Sequence, residues 1–262
     1  MNAAPSMPVF FFGHGSPMHA IGDDRYARAW SALGVSIPRP RAILAVSAHW
    51  YITETAVTAM AAPRTIHDFG GFPAALYNVE YPAPGSPELA ARVAQLLHPF
   101  EVRADQSWGL DHGTWSVLRH IYPQADVPVV QLSIDLGRPA QFHYELGQRL
   151  APLRDEGVLI VASGNIVHNL YAYQWDAPEA PPYPWAARFE QQVRDALLAD
   201  TPHPLIAYDT AMGEESAPSV PSPDHYLPLL YAVGARRKSD ALSFPVEGFE
   251  GGSMSMLTVR FG

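Results

Sequence analysis

The chain contains no cysteine. Disulfides, thiolate ligands and a cysteine nucleophile are thereby excluded, so a tightly held transition metal must be bound through imidazole and oxygen. Positive charge is also scarce. With 17 Lys and Arg against 26 Asp and Glu, the formal net charge is −9, and no concentrated basic field exists to hold nucleic acid or an anionic membrane. The only basic run, Arg236-Arg237-Lys238, reads as a solvated loop. No stretch approaches the roughly 20 apolar residues of a membrane span. The N-terminus lacks the basic and then apolar pattern of a secretory signal, so a cytoplasmic location is expected. The sequence also has no His-Glu-x-x-His, Walker or Gly-x-Ser-x-Gly motif.

What is present is apolar. The hydrophobic fraction is 48% and the charged fraction 16%, a globular balance that does not shift along the chain, so one domain over residues 1–262 is expected. Runs at Pro8 to Phe12, Ala42 to Ser47, Val127 to Ser133 and Val158 to Ala162 read as buried parallel strands. Helical patterns at Asp23 to Leu33, Ser86 to Leu97, Thr114 to Ile121, Pro139 to Leu153 and Trp185 to Ala199 alternate with or follow them. Ser86 and Pro87 supply an N-cap and a first helical residue. Met254 to Phe261 reads as a C-terminal strand at a sheet edge. The fold class is therefore α/β. The long Pro- and Gly-containing connection from Thr65 to Gly85 is the candidate wall or lid of a cleft.

Five of the eleven histidines lie in short turns instead of on periodic faces. They are in Phe12-Gly13-His14-Gly15-Ser16-Pro17, Ser47-Ala48-His49-Trp50, Asp111-His112-Gly113, Asn165-Ile166-Val167-His168-Asn169 and Pro223-Asp224-His225-Tyr226. His14, His49 and His168 each follow a strand candidate, so three imidazoles can converge where the carboxyl ends of a parallel sheet bind ligands. His112 and His225 precede helices, where Asp224 reads as an N-cap and the helix dipole keeps His112 unprotonated. Gly13 and Gly15 permit close backbone approach around His14, and Ser16 reads as ordering that turn. Trp50 reads as core. His67, in the long loop, is a substrate contact or a surface residue. His19, His98, His120, His143 and His203 read as surface or helix residues.

Further strings run through the chain in the same order: His67-Asp68-Phe69-Gly70-Gly71-Phe72-Pro73, Tyr81-Pro82-Ala83-Pro84-Gly85, Val129-Val130-Gln131-Leu132-Ser133, His225-Tyr226-Leu227-Pro228-Leu229-Leu230 and Gly252-Ser253-Met254-Ser255-Met256. With the histidine turns, they resemble the class III extradiol ring-cleaving dioxygenases, in the DOPA-dioxygenase-type branch of the protocatechuate 4,5-dioxygenase catalytic-subunit superfamily. The resemblance covers nearly the whole chain. It implies one α/β domain with a central mixed, mostly parallel sheet flanked by helices and a mononuclear non-haem metal at the carboxyl ends of the strands. His14, His49 and His225 match the metal-ligand positions. His168 matches the active-site base and can join the metal when substrate is absent, and His112 matches a second active-site histidine that assists oxygen or substrate.

The wider superfamily places a carboxylate where this chain has His225. An all-imidazole site binds Zn(II) readily, so Fe(II) is the expected cofactor for activity and Zn(II) an expected occupant. The expected partners are a small catechol and O2, with no nucleic acid and no membrane. A monomer is expected, since no surface helix shows an extended apolar stripe. Two other functions fit the same histidines: a zinc hydrolase with a metal-activated water, and a non-enzymatic binding module on the same scaffold. Tyr77, Tyr81, Trp108, Trp115 and Tyr226 are the aromatic candidates for a pocket, each equally suited to the core.

Overall fold

Alternating residues of the apolar runs point to opposite sides of one sheet. In the computed structural model, which describes residues 6–262, the chain forms β1 (Val9–Gly13), β2 (Ala42–Ile52), β3 (Ala56–Thr58), β4 (Arg103–Asp105) and β5 (Val129–Asp135). These are followed by β6 (Val158–Gly164), β7 (Leu242–Val246), β8 (Phe249–Glu250), β9 (Met254–Ser255) and β10 (Thr258–Phe261). The main sheet has the order β4-β3-β5-β2-β6-β1-β10-β7, and β8 and β9 form a separate antiparallel hairpin. Its central four strands, β5-β2-β6-β1, are parallel, whereas β3 and β10 run antiparallel to their inner neighbours. The expected mixed, mostly parallel sheet is therefore present, with the carboxyl ends of its central strands along one edge.

Val9, Phe11, Leu44 and Val46 face a core shared with Val93, Leu146, Phe189 and Leu230. These come from the helices Pro87–Leu97, Ala140–Leu150, Pro184–Leu198 and Leu227–Ala235. Phe10, Phe12, Ile43 and Ala45 face a second core with Trp30 and Val117, from the helices Arg25–Ser36 and His112–Ile121. Each such large side chain contributes roughly 1.5–3 kcal/mol by leaving water, so both faces of the sheet are pinned. Ser86 caps its helix as expected, accepting from the Leu89 amide, with Pro87 first in the helix. Among the described residues no helix is long and apolar enough to cross a membrane.

The C-terminal segment departs from expectation. It breaks at Met256 and Leu257, where the Leu257 carbonyl accepts from Gly13 N–H and Met256 N–H donates to Gly248. β9 turns away to pair with β8, and β10 is internal, between β1 and β7. The edge belongs to β7, whose Pro245 lacks a ladder donor and suits an edge.

Of the histidines read as surface or helix residues, His19 and His143 are on helical segments and buried. His143 lies against the Tyr231 hydroxyl at 3.0 Å. His19 has Nδ1 at 2.8 Å from Asp24 and Nε2 at 3.1 Å from Glu250. Burial alone would lower its pKa, but hydrogen bonding to Asp24 and then Glu250 outweighs it and raises it to about 9. A folded pKa above the unfolded value of 6.5 means stabilisation that is full below that value and lost as pH rises through about 9, worth about 3 kcal/mol in all. Urea unfolding at about pH 6 and about pH 10 checks it. His19→Gln should be destabilised at the lower pH and lose most of this pH dependence; an unchanged slope in the variant rules the linkage out.

Candidate metal centre

Each histidine reaches the sheet edge by a different local device. His14 follows β1 directly, donating its backbone N–H to Gly164 at 3.0 Å. Gly15, at φ +61, then turns the chain into a short helix over Pro17–Ala20, and the Ser16 hydroxyl accepts from Met18 N–H. Ser16 thus orders the turn, as its sequence setting implies. His49 sits within β2, not after it: pairing with β5 stops at Val46 and resumes at Tyr51, and the unpaired stretch carries His49.

His112 is the first residue of the helix His112–Ile121, two residues earlier than the periodicity indicates. Asp111 caps that helix and accepts from the Gln131 amide, while Gln131 accepts from Thr114 at 2.9 Å. A Cβ at Gly113 would lie 2.5 Å from Ser47 Oγ and 2.9 Å from the His49 ring, so only glycine lets the helix start this close. His168 lies beyond β6 in an isolated bridge to Met254. His225 immediately precedes Tyr226 and the helix Leu227–Ala235, and its carbonyl accepts from Asn165 N–H at 2.9 Å.

All five imidazoles meet. His14 and His49 bring their Nε2 atoms to 3.0 Å, and donor atoms of His14, His49 and His112 all lie within 4.8 Å of one another. The His225 ring centroid is 5.3 Å from that of His14 and 5.0 Å from that of His49. His168 stacks on His225 at 3.6 Å with the planes 2° apart. The donor triad within this distance thus has His112 as its third member, in place of the His225 that the resemblance implies, and His225 adjoins it.

The outer edges of four rings are held. Ser163 Oγ donates to the Gly113 carbonyl at 2.5 Å, so at 2.9 Å from His14 Nδ1 it accepts. Asp68 Oδ2 lies 3.0 Å from His112 Nδ1 and 3.2 Å from His49 Nδ1, while its Oδ1 accepts from His112 N–H at 2.9 Å. Asp224 accepts from His225 Nδ1. A carboxylate can only accept, so Nδ1 carries the proton in these rings and the Nε2 lone pair is left for a cation. Asp224 is accordingly not the N-cap expected of it: the helix starts later, at Leu227, and the neighbouring imidazole takes the carboxylate.

Burial, followed by repulsion from neighbouring histidines, lowers the pKa values of His14, His49 and His168 well below the usual imidazole range. These rings are neutral near pH 7 and their lone pairs are available. Converging imidazole donors with fixed tautomers fit a divalent first-row metal.

A cavity of about 570 Å³ opens from this cluster, within the range of small-molecule sites. Its outer walls include Phe69 and Phe72 from the long connection, and Leu170, Tyr173, Trp175 and Met254. The connection is thus a cleft wall, as expected, but other aromatics line it than those nominated. Tyr81, Trp115 and Tyr226 are core residues, and Trp108 stacks on buried Trp50 with centroids 5.6 Å apart. Tyr77 packs on Phe69, and His67 supports the wall from behind, with Nε2 at 2.9 Å from the Val79 carbonyl. The cluster of Tyr171, Tyr173 and Trp175 was visible in the sequence, but its docking depends on the Tyr173 ring lying over Gly251.

Comparison with known proteins agrees with this geometry. Residues 9–255 match the family described as the catalytic LigB subunit of aromatic ring-opening dioxygenase. The chain is 53% identical over 260 residues to a 4,5-DOPA dioxygenase extradiol of Escherichia coli (strain K12), covering 98% of this chain and 95% of that protein. A protein of the same name from Beta vulgaris is 39% identical, with 97% and 96% covered. A crystal structure of an uncharacterized Escherichia coli K12 protein superposes with a TM-score of 0.86 at 47% identity, covering 98% of this chain and all of that one. With this agreement of sequence, fold and clustered histidines, the chain belongs to the LigB family of aromatic ring-opening dioxygenases and is an extradiol ring-cleaving enzyme.

Proposed function

We propose that the protein opens the ring of DOPA-like catechols with O2, using Fe(II) held by His14, His49 and His225. The observation that carries this reading is the set of Nδ1-anchored imidazoles at the inner end of an aromatic-walled cavity. Fe(II), when bound, supplies open coordination positions and the one-electron chemistry that reaction with O2 requires. Zn(II) would occupy the same nitrogens without redox chemistry.

The chain's own residues supply the remainder. His168 has no side-chain hydrogen bond among the described residues and stacks on His225, so it is free to take a proton from a catechol hydroxyl as general base. Without substrate, the same ring is near enough to the cluster to serve as a further ligand. His112, with Nδ1 held by Asp68, presents Nε2 to the cavity and assists substrate or oxygen from the other side. Phe69, Phe72 and Met254 give the catechol ring apolar contacts and limit water.

The test is anaerobic reconstitution of the apoprotein with Fe(II), followed by oxygen uptake with L-DOPA, catechol, caffeate and protocatechuate. Oxygen consumption with a new visible absorbance, from the semialdehyde acid formed on ring opening, is expected for at least L-DOPA. Silence across the whole panel would sink the proposal. Hydrolysis of an ester or amide with Zn(II), independent of oxygen, would replace it with metal-activated water chemistry. The position of Asp68 and Asp224 speaks against that outcome: both carboxylates are spent on imidazole edges.

A further inference from the structure

We infer that the outer cavity selects catechols whose side arm carries an ammonium group over those whose arm carries only a carboxylate. The inference rests on the catechol reading above and concerns the part of the substrate that points away from the histidines. Among the described residues no Arg or Lys lines the cavity. An anionic arm therefore meets no cationic side chain there.

The walls offer a cation a better environment. Tyr173 and Trp175 lie with ring centroids 4.6 Å apart and planes at 51°, and Trp175 is 66% exposed, leaving indole surface open to a ligand. Phe69 and Phe72 meet edge to face at 5.4 Å on the other wall. Aromatic faces attract ammonium groups through the ring quadrupole and repel carboxylates by the same field.

Carboxylates behind the walls reinforce this. Glu250 adjoins Gly251, over which the Tyr173 ring lies. Burial, followed by the charges of Glu250 and Glu179, pushes the Tyr173 phenol up to about 12. His19 offsets only part of the local charge, since it faces Asp24 as well as Glu250. At the inner end the charges of Asp68 and Asp224 are balanced by a divalent ion in the loaded protein, so the outer walls set the preference. An amino-acid arm is tolerated because its ammonium accompanies its carboxylate, and an amine arm without the carboxylate is favoured further.

Three catechols with matched arms test the inference: dopamine, 4-ethylcatechol and 3-(3,4-dihydroxyphenyl)propionate. Two quantities are measured: kcat/KM by oxygen uptake with the Fe(II) protein, and Kd by tryptophan fluorescence with anaerobic Zn(II)-loaded protein, which does not turn over. Dopamine should exceed the propionate at least about tenfold in both, with 4-ethylcatechol between, and the gap should narrow in high salt. Trp175→Leu should reduce the dopamine advantage over 4-ethylcatechol roughly two- to fivefold. Propionate binding as tight as dopamine overturns the inference, and an unchanged ratio in Trp175→Leu overturns the role given to that indole. If L-DOPA, run beside them, and all three stay unopened, the catechol reading fails, while the order of Kd values still decides the selectivity.

Discussion

His168→Phe is expected to lower kcat for ring opening roughly 10²- to 10⁴-fold, the usual contribution of a positioned general base. Phenylalanine preserves a flat ring against His225, where the native pair stacks at 3.6 Å with planes 2° apart. The change thus removes the nitrogens with little loss of packing. His168 is suited to the task because burial, followed by repulsion from His225, lowers its pKa and keeps it unprotonated, while the charge of Asp224 steadies the imidazolium that forms. Without it, the catechol must lose its proton to solvent. The rate deficit should therefore shrink as pH rises toward the substrate's own ionisation. Metal content separates this from a ligand role: the variant should keep its metal and lose rate. Turnover at the wild-type rate would remove His168 from proton transfer, and loss of metal would make it a permanent ligand.

The histidines were legible because each of the five stands in a short Gly-, Ser-, Asn- or Pro-containing string that no periodic face explains, and strand ends are where parallel sheets place ligands. The edge residues of the site were not. His49 looked like a residue after a strand, yet it lies inside β2, because the interruption of pairing with β5 between Val46 and Tyr51 depends on the partner's register. β3 and β4 are three residues each, and β4 carries Arg103 and Asp105, so neither shows an apolar run. β10 was misplaced at an edge because the break at Met256 and Leu257 is set by bonds to Gly13 and Gly248. Asp68 was visible as part of a string but not as a partner of His112, 44 residues away. His19 gave no signal at all: its two carboxylate neighbours come from a helix cap and from the distant β8.

The resemblance also poses a question about charge, since it sets His225 where it implies a carboxylate in the wider superfamily. In the structure, carboxylates lie behind the imidazoles. Asp224 is hydrogen bonded to His225 itself, and Asp68 is shared between His49 and His112. Carboxylates behind imidazoles raise ligand basicity and fix ring orientation, so a nitrogen-only first layer can still present an electron-rich site to a divalent ion.

Asp68→Asn should therefore weaken metal binding about 10- to 100-fold, or about 1.4–2.7 kcal/mol, without changing any residue that would touch the metal. One oxygen, Oδ2, serves two rings at 3.0 and 3.2 Å. An amide of the same shape has only one acceptor oxygen, and its NH2 group set against either Nδ1–H would be repulsive. Relief requires that a ring move its proton to Nε2, which disables the nitrogen facing the cavity. The Asp68 pKa bears this out: burial would raise it, but hydrogen bonds and charge from His112 bring it below the usual carboxylate value, so the site depends on the ionised form. Competition with a chromophoric chelator for Zn(II) gives the affinity, and the melting temperature of the metal-free protein separates it from loss of the Asp68 bond to His112 N–H. Asp224→Asn, which removes the hydrogen-bond partner of one ring and not two, should cost less metal affinity than Asp68→Asn. Equal affinity in Asp68→Asn and wild type would show that the two imidazoles keep their tautomers without the carboxylate, and the outer layer would then be packing and not electronic support.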